Sequence, residues 1–275
     1  MSLSVGSSFS ANTAHHNLQQ TSARLSLTLA KLSAGRRVTS AGDDAASLAI
    51  GSRLGVEVRG LAQAQANAGQ ASSMLQVADG GMANINDILT RMKTLSVQAG
   101  SGQLSTTDRS AINDEFQSLA SEVGRISSDT AFGSTNLLDG SAGALSIKVG
   151  TGSSPGSDTI SVSPVDSSNA GLSINGLDIS SQAGADAANT AISAAIDSVQ
   201  TMRAGIGSSQ NRLDYASRNI ATSMENTEAA RSSLIDLDVA RAMSDLAGQQ
   251  TRMQAGLAMH AQANGSQRSI LKLLA

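Results

Sequence analysis

Two carboxylates stand side by side at Asp43 and Asp44, a few residues after the arginine pair Arg36 and Arg37. Adjacent carboxylates can hold a divalent cation, pair with guanidinium groups, start a helix or meet a neighbouring molecule. A cation needs more oxygen or nitrogen ligands, and neither a histidine nor a third carboxylate lies near them at ligand spacing. Helix initiation accounts for the aspartates, because an apolar run opens at Ala45 and negative charge favours a helix N-terminus. It leaves the arginines without a role. The chain's three histidines are His15, His16 and His260. His15 and His16 are adjacent and point to different helix faces, so they do not form a two-ligand pair. With no cysteine, disulfides, thiolate metal sites and cysteine nucleophiles are excluded. No G-x-S-x-G, P-loop or G-x-G-x-x-G phosphate cradle occurs. The residues predict no catalytic site, no cofactor and no metal.

Something must position the charged cluster, and the composition narrows what it is. The chain has 275 residues, 40% hydrophobic and only 1% aromatic, with no Trp. Core volume has to come from Ala, Leu, Ile, Val and Met, which suits helices in close approach better than a broad core built on rings. A net charge of −3 gives no bulk attraction to nucleic acid. No run is long and apolar enough for a membrane span. Residues 1–20 contain no Lys or Arg and no apolar h-region, so no cleaved secretory signal is expected.

The apolar spacing is helical nearly throughout. Leu18, Leu25 and Leu32 fall seven apart, with Ser22 and Leu29 between them. After a pause over residues 33–44, Leu61, Ala68, Leu75, Met82 and Leu89 occupy one heptad position. Ala64, Ala71, Ala78, Ile85 and Met92 occupy the other. Such spacing predicts coiled-coil packing, carried through Gly80 and Gly81 at a cost of about 1 kcal/mol each. Ser105 followed by Asp108 predicts a capping box. The segment 133–184 is rich in Gly and Ser and holds both prolines. Within it, residues 145–149 and 159–163 alternate like a β-hairpin. From Ala188, Ile192, Val199, Ile206, Leu213, Ile220, Thr227 and Leu234 recur in sevens, and the stripe shifts after Asp238. Leu246, Met253 and Leu257 continue it, and Ile270, Leu271, Leu273 and Leu274 follow at the end. Met74, Met82, Met92, Met202, Met224, Met243, Met253 and Met259 recur at helical spacing and read as seam filling.

The predicted fold is mainly α: an elongated antiparallel coiled-coil rod with paired terminal helices and a small β-hairpin segment. The expected division is residues 1–40 with 240–275 as a terminal helical domain, 41–132 with 185–239 as the rod, and 133–184 as the β segment at its outer end. The terminal segments are mildly amphipathic and bury little in one copy. Helices of this kind are marginal alone, so order on assembly is expected. A head-to-tail contact that does not close builds a filament.

Several stretches carry a specific likeness. "LAKLSAGRRVTSAGDDAASLAI" (29–50) and residues 73–126 resemble the N-terminal half of bacterial flagellin. So does "FGSTNLLDG" (132–140). "SSQNRLDYASRNI" (208–220), residues 225–244 and residues 254–274 resemble its C-terminal half. The resemblance implies a structural subunit that polymerises into the flagellar filament outside the cell, exported by the flagellar type III system without a cleaved signal. It implies many copies of itself as partner, with an export chaperone, a cap and hook-junction proteins. Leu18, Leu25, Leu29, Leu32, Leu246, Met253, Leu257 and Leu271 are then self-assembly residues, and Arg36, Arg37, Asp43 and Asp44 help set a junction where subunits meet, with pairing inside one chain as the alternative. It also implies recognition by the toll-like receptor for flagellin through Arg91, Leu95, Gln98 and Glu115. Thr94 stands where an acidic residue is common, which implies weaker recognition. Gly133–Ser134 replaces the usual Asn-Gly, so that turn is expected to differ. A hook–filament junction protein and a cytosolic coiled-coil scaffold are the alternative readings.

Overall fold

The computed structural model describes residues 7–274 apart from 153, 155, 157 and 164, with side chains from residue 12 to residue 265. Five helices and four short strands follow one another: α1 (Ser7–Ala34), α2 (Ala45–Ala99), α3 (Thr106–Asp129), β1 (Ala131–Phe132), β2 (Thr135–Asn136), β3 (Leu145–Lys148), β4 (Thr159–Val162), α4 (Gln182–Ile235) and α5 (Val239–Leu274). Contacts divide the chain into two units, Met1–Val56 with Asn226–Ala275, and Glu57–Glu225. Both α2 and α4 contribute residues to each unit.

Within residues 57–225 the heptad stripe is the core. Leu61, Ala64, Ala68, Ala71, Leu75, Ala78, Met82, Ile85, Leu89 and Met92 are all buried on α2. On α4 the buried positions include Ile192, Val199, Ile206, Leu213 and Ile220. Cross-helix bonds set the direction. Gln65 donates to Ser217 at 2.6 Å, and Arg203 meets Asp79 at 2.8 Å. Numbers rise along α2 as they fall along α4, so the pair is antiparallel. The alternation of Ala with larger residues lets the backbones come close while the larger side chains fill the gaps.

α2 runs unbroken for 55 residues, about 80 Å at 1.5 Å per residue. Gly81 sits inside it for a packing reason. A Cβ there would lie 2.8 Å from both Leu138 Cδ1 and Thr130 Oγ1, whereas one at Gly80 would meet nothing within 4 Å. The chain leaving α3 crosses directly over Gly81.

α3 begins with the predicted capping box: Asp108 N donates to Ser105 Oγ and the Asp108 carboxylate accepts from Ser105 N. It buries Phe116, Ala120 and Val123. β1 and β2 form a two-residue hairpin over Gly133–Ser134. Gly133 has φ +63, and a positive φ at the first loop residue alone is the pattern of a type II′ turn. The expected hairpin is present as β3 and β4, paired antiparallel with Leu145 opposite Val162 and Ile147 opposite Ile160. Ile160 and Val162 face the same core as the helices. Pro155 and Pro164 lie outside the described residues.

Within the terminal unit, α1 and α5 pair antiparallel. His15 faces His260, and Leu18 packs over Gly256. Leu18, Leu25 and Leu32 are half-buried in this seam. Between them the seam uses Thr21 and Thr28, while Ser22 and Leu29 are exposed. Steps of three then four and of four then three both keep a heptad, and the structure takes the first. On α5, Ala242 and Leu246 are buried, and Gln249, Met253, Gly256 and His260 are half-buried. The seam is therefore thin, with threonine, glycine and glutamine among its members.

Candidate self-assembly surface

The charged cluster folds into the turn between α1 and α2. α1 ends in a Schellman motif: Gly35 N donates to Leu32 O at 3.2 Å and Arg36 N to Lys31 O at 3.2 Å. Gly35 has φ +65, the left-handed conformation that this closure requires. The turn is anchored by Val38, which is 2% exposed.

The two aspartates do different work. Asp43 accepts from Thr39 N at 3.1 Å, Thr39 Oγ1 at 3.0 Å and Ser40 N at 3.0 Å. Its other oxygen lies 2.9 Å from Lys31 Nζ. The Lys31 ammonium first, then the Thr39 and Ser40 donors, hold this carboxyl far below the usual carboxylate range. Asp44 caps α2, accepting from Ser47 N at 3.0 Å and from the Ser47 hydroxyl. These bonds lower its pKa too, with a small further pull from Arg37.

Neither arginine forms an ion pair with an aspartate of the cluster. Arg37 Nη2 donates to Leu234 O at 2.6 Å, and Arg37 N donates to Ile235 O at 2.7 Å. A guanidinium on the last carbonyls of α4 satisfies groups that a helix end leaves open and complements its dipole. Arg36 forms a backbone bridge with Asp236, and Leu237 N donates to Gly35 O at 3.2 Å. Asp238 then caps α5, accepting from Arg241 N at 3.1 Å. The cluster thus ties the α1–α2 turn to the α4–α5 turn. Sequence reasoning found the four charged residues but missed Lys31 as the partner of Asp43. A lysine one turn from a helix end is common, and nothing in its spacing marked it out.

α1 and α5 carry most of the exposed large apolar side chains of the terminal unit. Leu27, Leu29, Val239, Met243, Leu257 and Met259 are exposed, Leu257 at 62% and Met259 at 67%. Ile50 and Val56, in the same unit, are exposed as well. Among the described residues of 57–225, the exposed large hydrophobics are Val77, Val97 and Tyr215. The methionines divide the same way. Met82 and Met92 are fully buried and fill the α2 seam, whereas Met243 and Met259 face outward. Leu18, Gln19, Ser22, Met253 and Leu257 line an open apolar groove between the two terminal helices. The side chain of Leu271, with Ile270, Leu273 and Leu274, lies outside the described residues.

The four residues of the receptor expectation are split between core and surface. Arg91 meets Glu115 across α2 and α3, its Nε 2.9 Å and its Nη2 2.6 Å from Glu115 Oε1. Gln98 is exposed, and Leu95 is 1% exposed in the core. No group of three or more metal-ligating side chains occurs among the described residues.

Comparison with known proteins gives a consistent likeness. Residues 5–143 match the bacterial flagellin N-terminal helical region, and residues 189–274 match the bacterial flagellin C-terminal helical region. A flagellin of Halalkalibacterium halodurans is 34% identical over 96% of this chain and 97% of its own length. A flagellin of Bacillus subtilis is 35% identical over 89% of this chain and 90% of its own. Among solved structures, the crystal structure of Bacillus cereus flagellin is similar with TM-score 0.51 at 29% identity, covering 56% of this chain and 88% of that one. A putative flagellar hook-associated protein from Vibrio parahaemolyticus shares the fold, with TM-score 0.60 at 18% identity over 70% of this chain and 100% of that one.

Proposed function

The chain belongs to the bacterial flagellin family, and on that footing we propose that it polymerises through the outward faces of α1 and α5 and through the turn that carries Arg36, Arg37, Asp43 and Asp44. As a flagellin it is a structural, non-enzymatic subunit of the extracellular filament of the bacterial flagellum. The observation that supports the choice of surface is the concentration of exposed large apolar side chains on the terminal helices. Large apolar side chains left in water and gathered in one unit point to an interaction site. Neighbouring copies packed around Leu27, Leu29, Leu257 and Met259 remove these side chains from water. Leu18, Leu25, Leu32, Leu246 and Met253 hold the seam that presents them.

The three-part division follows the same logic. Residues 1–40 with 240–275 polymerise, 41–132 with 185–239 supply the long paired helices, and 133–184 fold against α2, with Thr151 beside Gly60 and Leu138 over Gly81. Export by the flagellar type III system without a cleaved signal completes the route outward. The export chaperone, the cap and the hook-junction proteins are its further partners. In the toll-like receptor reading, Arg91, Gln98 and Glu115 supply the contact surface and Leu95 supports it from beneath.

Sedimentation of seeded polymer tests the surface. Leu257→Asp places a charge on the outward face and leaves the seam positions unchanged. The expected result is loss of pelletable polymer with an unchanged circular dichroism spectrum. Wild-type yield of polymer from this variant would overturn the assignment of that face.

A further inference from the structure

His15 and His260 stand at opposite ends of the sequence, and the antiparallel pairing of α1 with α5 brings their rings to 5.9 Å between centroids, tilted by 50°. An ion bound to one nitrogen of each imidazole at about 2.0–2.1 Å holds each centroid about 3 Å away, so two rings that share it sit roughly 5–6.5 Å apart. The observed separation lies inside that range. The tilt also argues against simple ring stacking, which favours near-parallel planes.

One turn beyond His260, the side-chain amide of Asn264 lies 3.3 Å from its Nδ1. Exchanging the oxygen and nitrogen of that amide leaves its shape unchanged. The contact then becomes Nδ1–H donating to the Asn264 carbonyl, which leaves the Nε2 lone pair free. An outer hydrogen bond that fixes the tautomer in this way is the usual support for a metal-binding histidine. Local charge raises no barrier. No Lys or Arg occurs in residues 1–23 or in residues 253–267.

We propose that His15 and His260 form a two-imidazole site for a borderline divalent cation of the Zn²⁺ class, with Asn264 as a positioning residue, and that the bound ion clips α1 to α5. Water completes the coordination. An ion that binds the paired helices and not the separated ones stabilises the pair by mass action. The site lies within one chain and is complete wherever α1 and α5 are paired.

The test uses the full chain without a histidine tag and Zn²⁺ as the only added ion. Calorimetric titration is expected to give one saturable ion per chain. His15→Gln and His260→Gln keep a polar, helix-compatible side chain and are expected to lose that binding while retaining the circular dichroism spectrum. His16→Gln, on a different face of the helix, is expected to bind like the wild type. Asn264→Ala is expected to weaken binding by about 10–100-fold. Zn²⁺ is also expected to slow proteolysis of α1 in the wild type and not in His260→Gln. The proposal is overturned if the wild type shows no saturable binding, if His260→Gln binds as well as the wild type, or if His16→Gln loses as much as His15→Gln.

Discussion

Asp43 and Asp44 are adjacent in the chain and serve separate purposes. Asp44 holds the first turn of α2 through Ser47, and Asp43 closes the 39–43 loop onto Lys31. Asp44→Ala is expected to speed amide exchange in the first turn of α2, while Asp44→Asn, which still caps, leaves it close to the wild type. Reversing the ion pair as Lys31→Asp with Asp43→Lys is expected to restore little, because Asp43 also accepts from Thr39 and Ser40 and a lysine there cannot. Thermal unfolding of the single and double variants measures that difference. The pH dependence has a definite sign. Both carboxyls have folded pKa values below the ordinary ones, so the stability they contribute is complete above the ordinary carboxylate range, about pH 4. It is lost as pH falls through the folded values. Protection of the amides from Thr39 to Leu48 is therefore expected to hold between pH 7 and 5 and to decline below about pH 4. At this scale the sequence reveals the aspartates, because helix initiation is local. It does not reveal Lys31, because the turn that folds Asp43 back onto it has no periodic signal, nor the Leu234 carbonyl or the contact of His15 with His260, because each depends on how segments far apart in sequence meet.

Among elements, α2 is the most legible and the most informative. Its ten buried seam residues from Leu61 to Met92 follow the predicted heptads without a slip. Leu89 is fully buried, and Leu89→Ala is expected to cost about 2–5 kcal/mol in unfolding free energy. The neighbouring glycines separate two effects that propensity alone merges. Gly80→Ala meets open space and is expected to stabilise by up to about 1 kcal/mol. Gly81→Ala gains the same propensity but drives its Cβ into Leu138 and Thr130, and is expected to lower the melting temperature. Two stabilised variants would place the chain after α3 elsewhere. The irregular stretch from Ser163 to Ser181 was the least legible. Leu172, Ile174 and Ile179 are buried there, yet they follow neither a helical nor a strand period. Their burial comes from Asx-type turns such as Asp166 to Ser168 and Asp178 to Ser180, and from long-range bonds such as Asn169 to the Ala120 carbonyl. No periodic signal encodes those contacts. On the terminal helices the heptad leucines predicted the seam, but the choice of Thr21 and Thr28 over Ser22 and Leu29 followed from the pairing with α5. It leaves the more apolar Leu29 outside, as a helix does when its second face has another use.

For the whole molecule, the contrast between the two units carries the functional reading. Residues 57–225 enclose their large apolar side chains with few exceptions. The terminal unit leaves Leu27, Leu29, Leu257 and Met259 in water around a thin seam. On the proposed reading, the terminal unit is the one that further copies cover. Composition and spacing anticipated the contrast, and the family match extends over both ends of the chain. The site of polymerisation is the central claim, and the most direct measurement is electron microscopy of the purified chain after addition of filament fragments, with circular dichroism followed on the same sample. Long uniform filaments accompanied by a rise in helical signal are the predicted result, since neighbouring copies then cover and order α1 and α5. A soluble species whose helical signal never changes on seeding would contradict the claim that these terminal helices depend on neighbouring subunits.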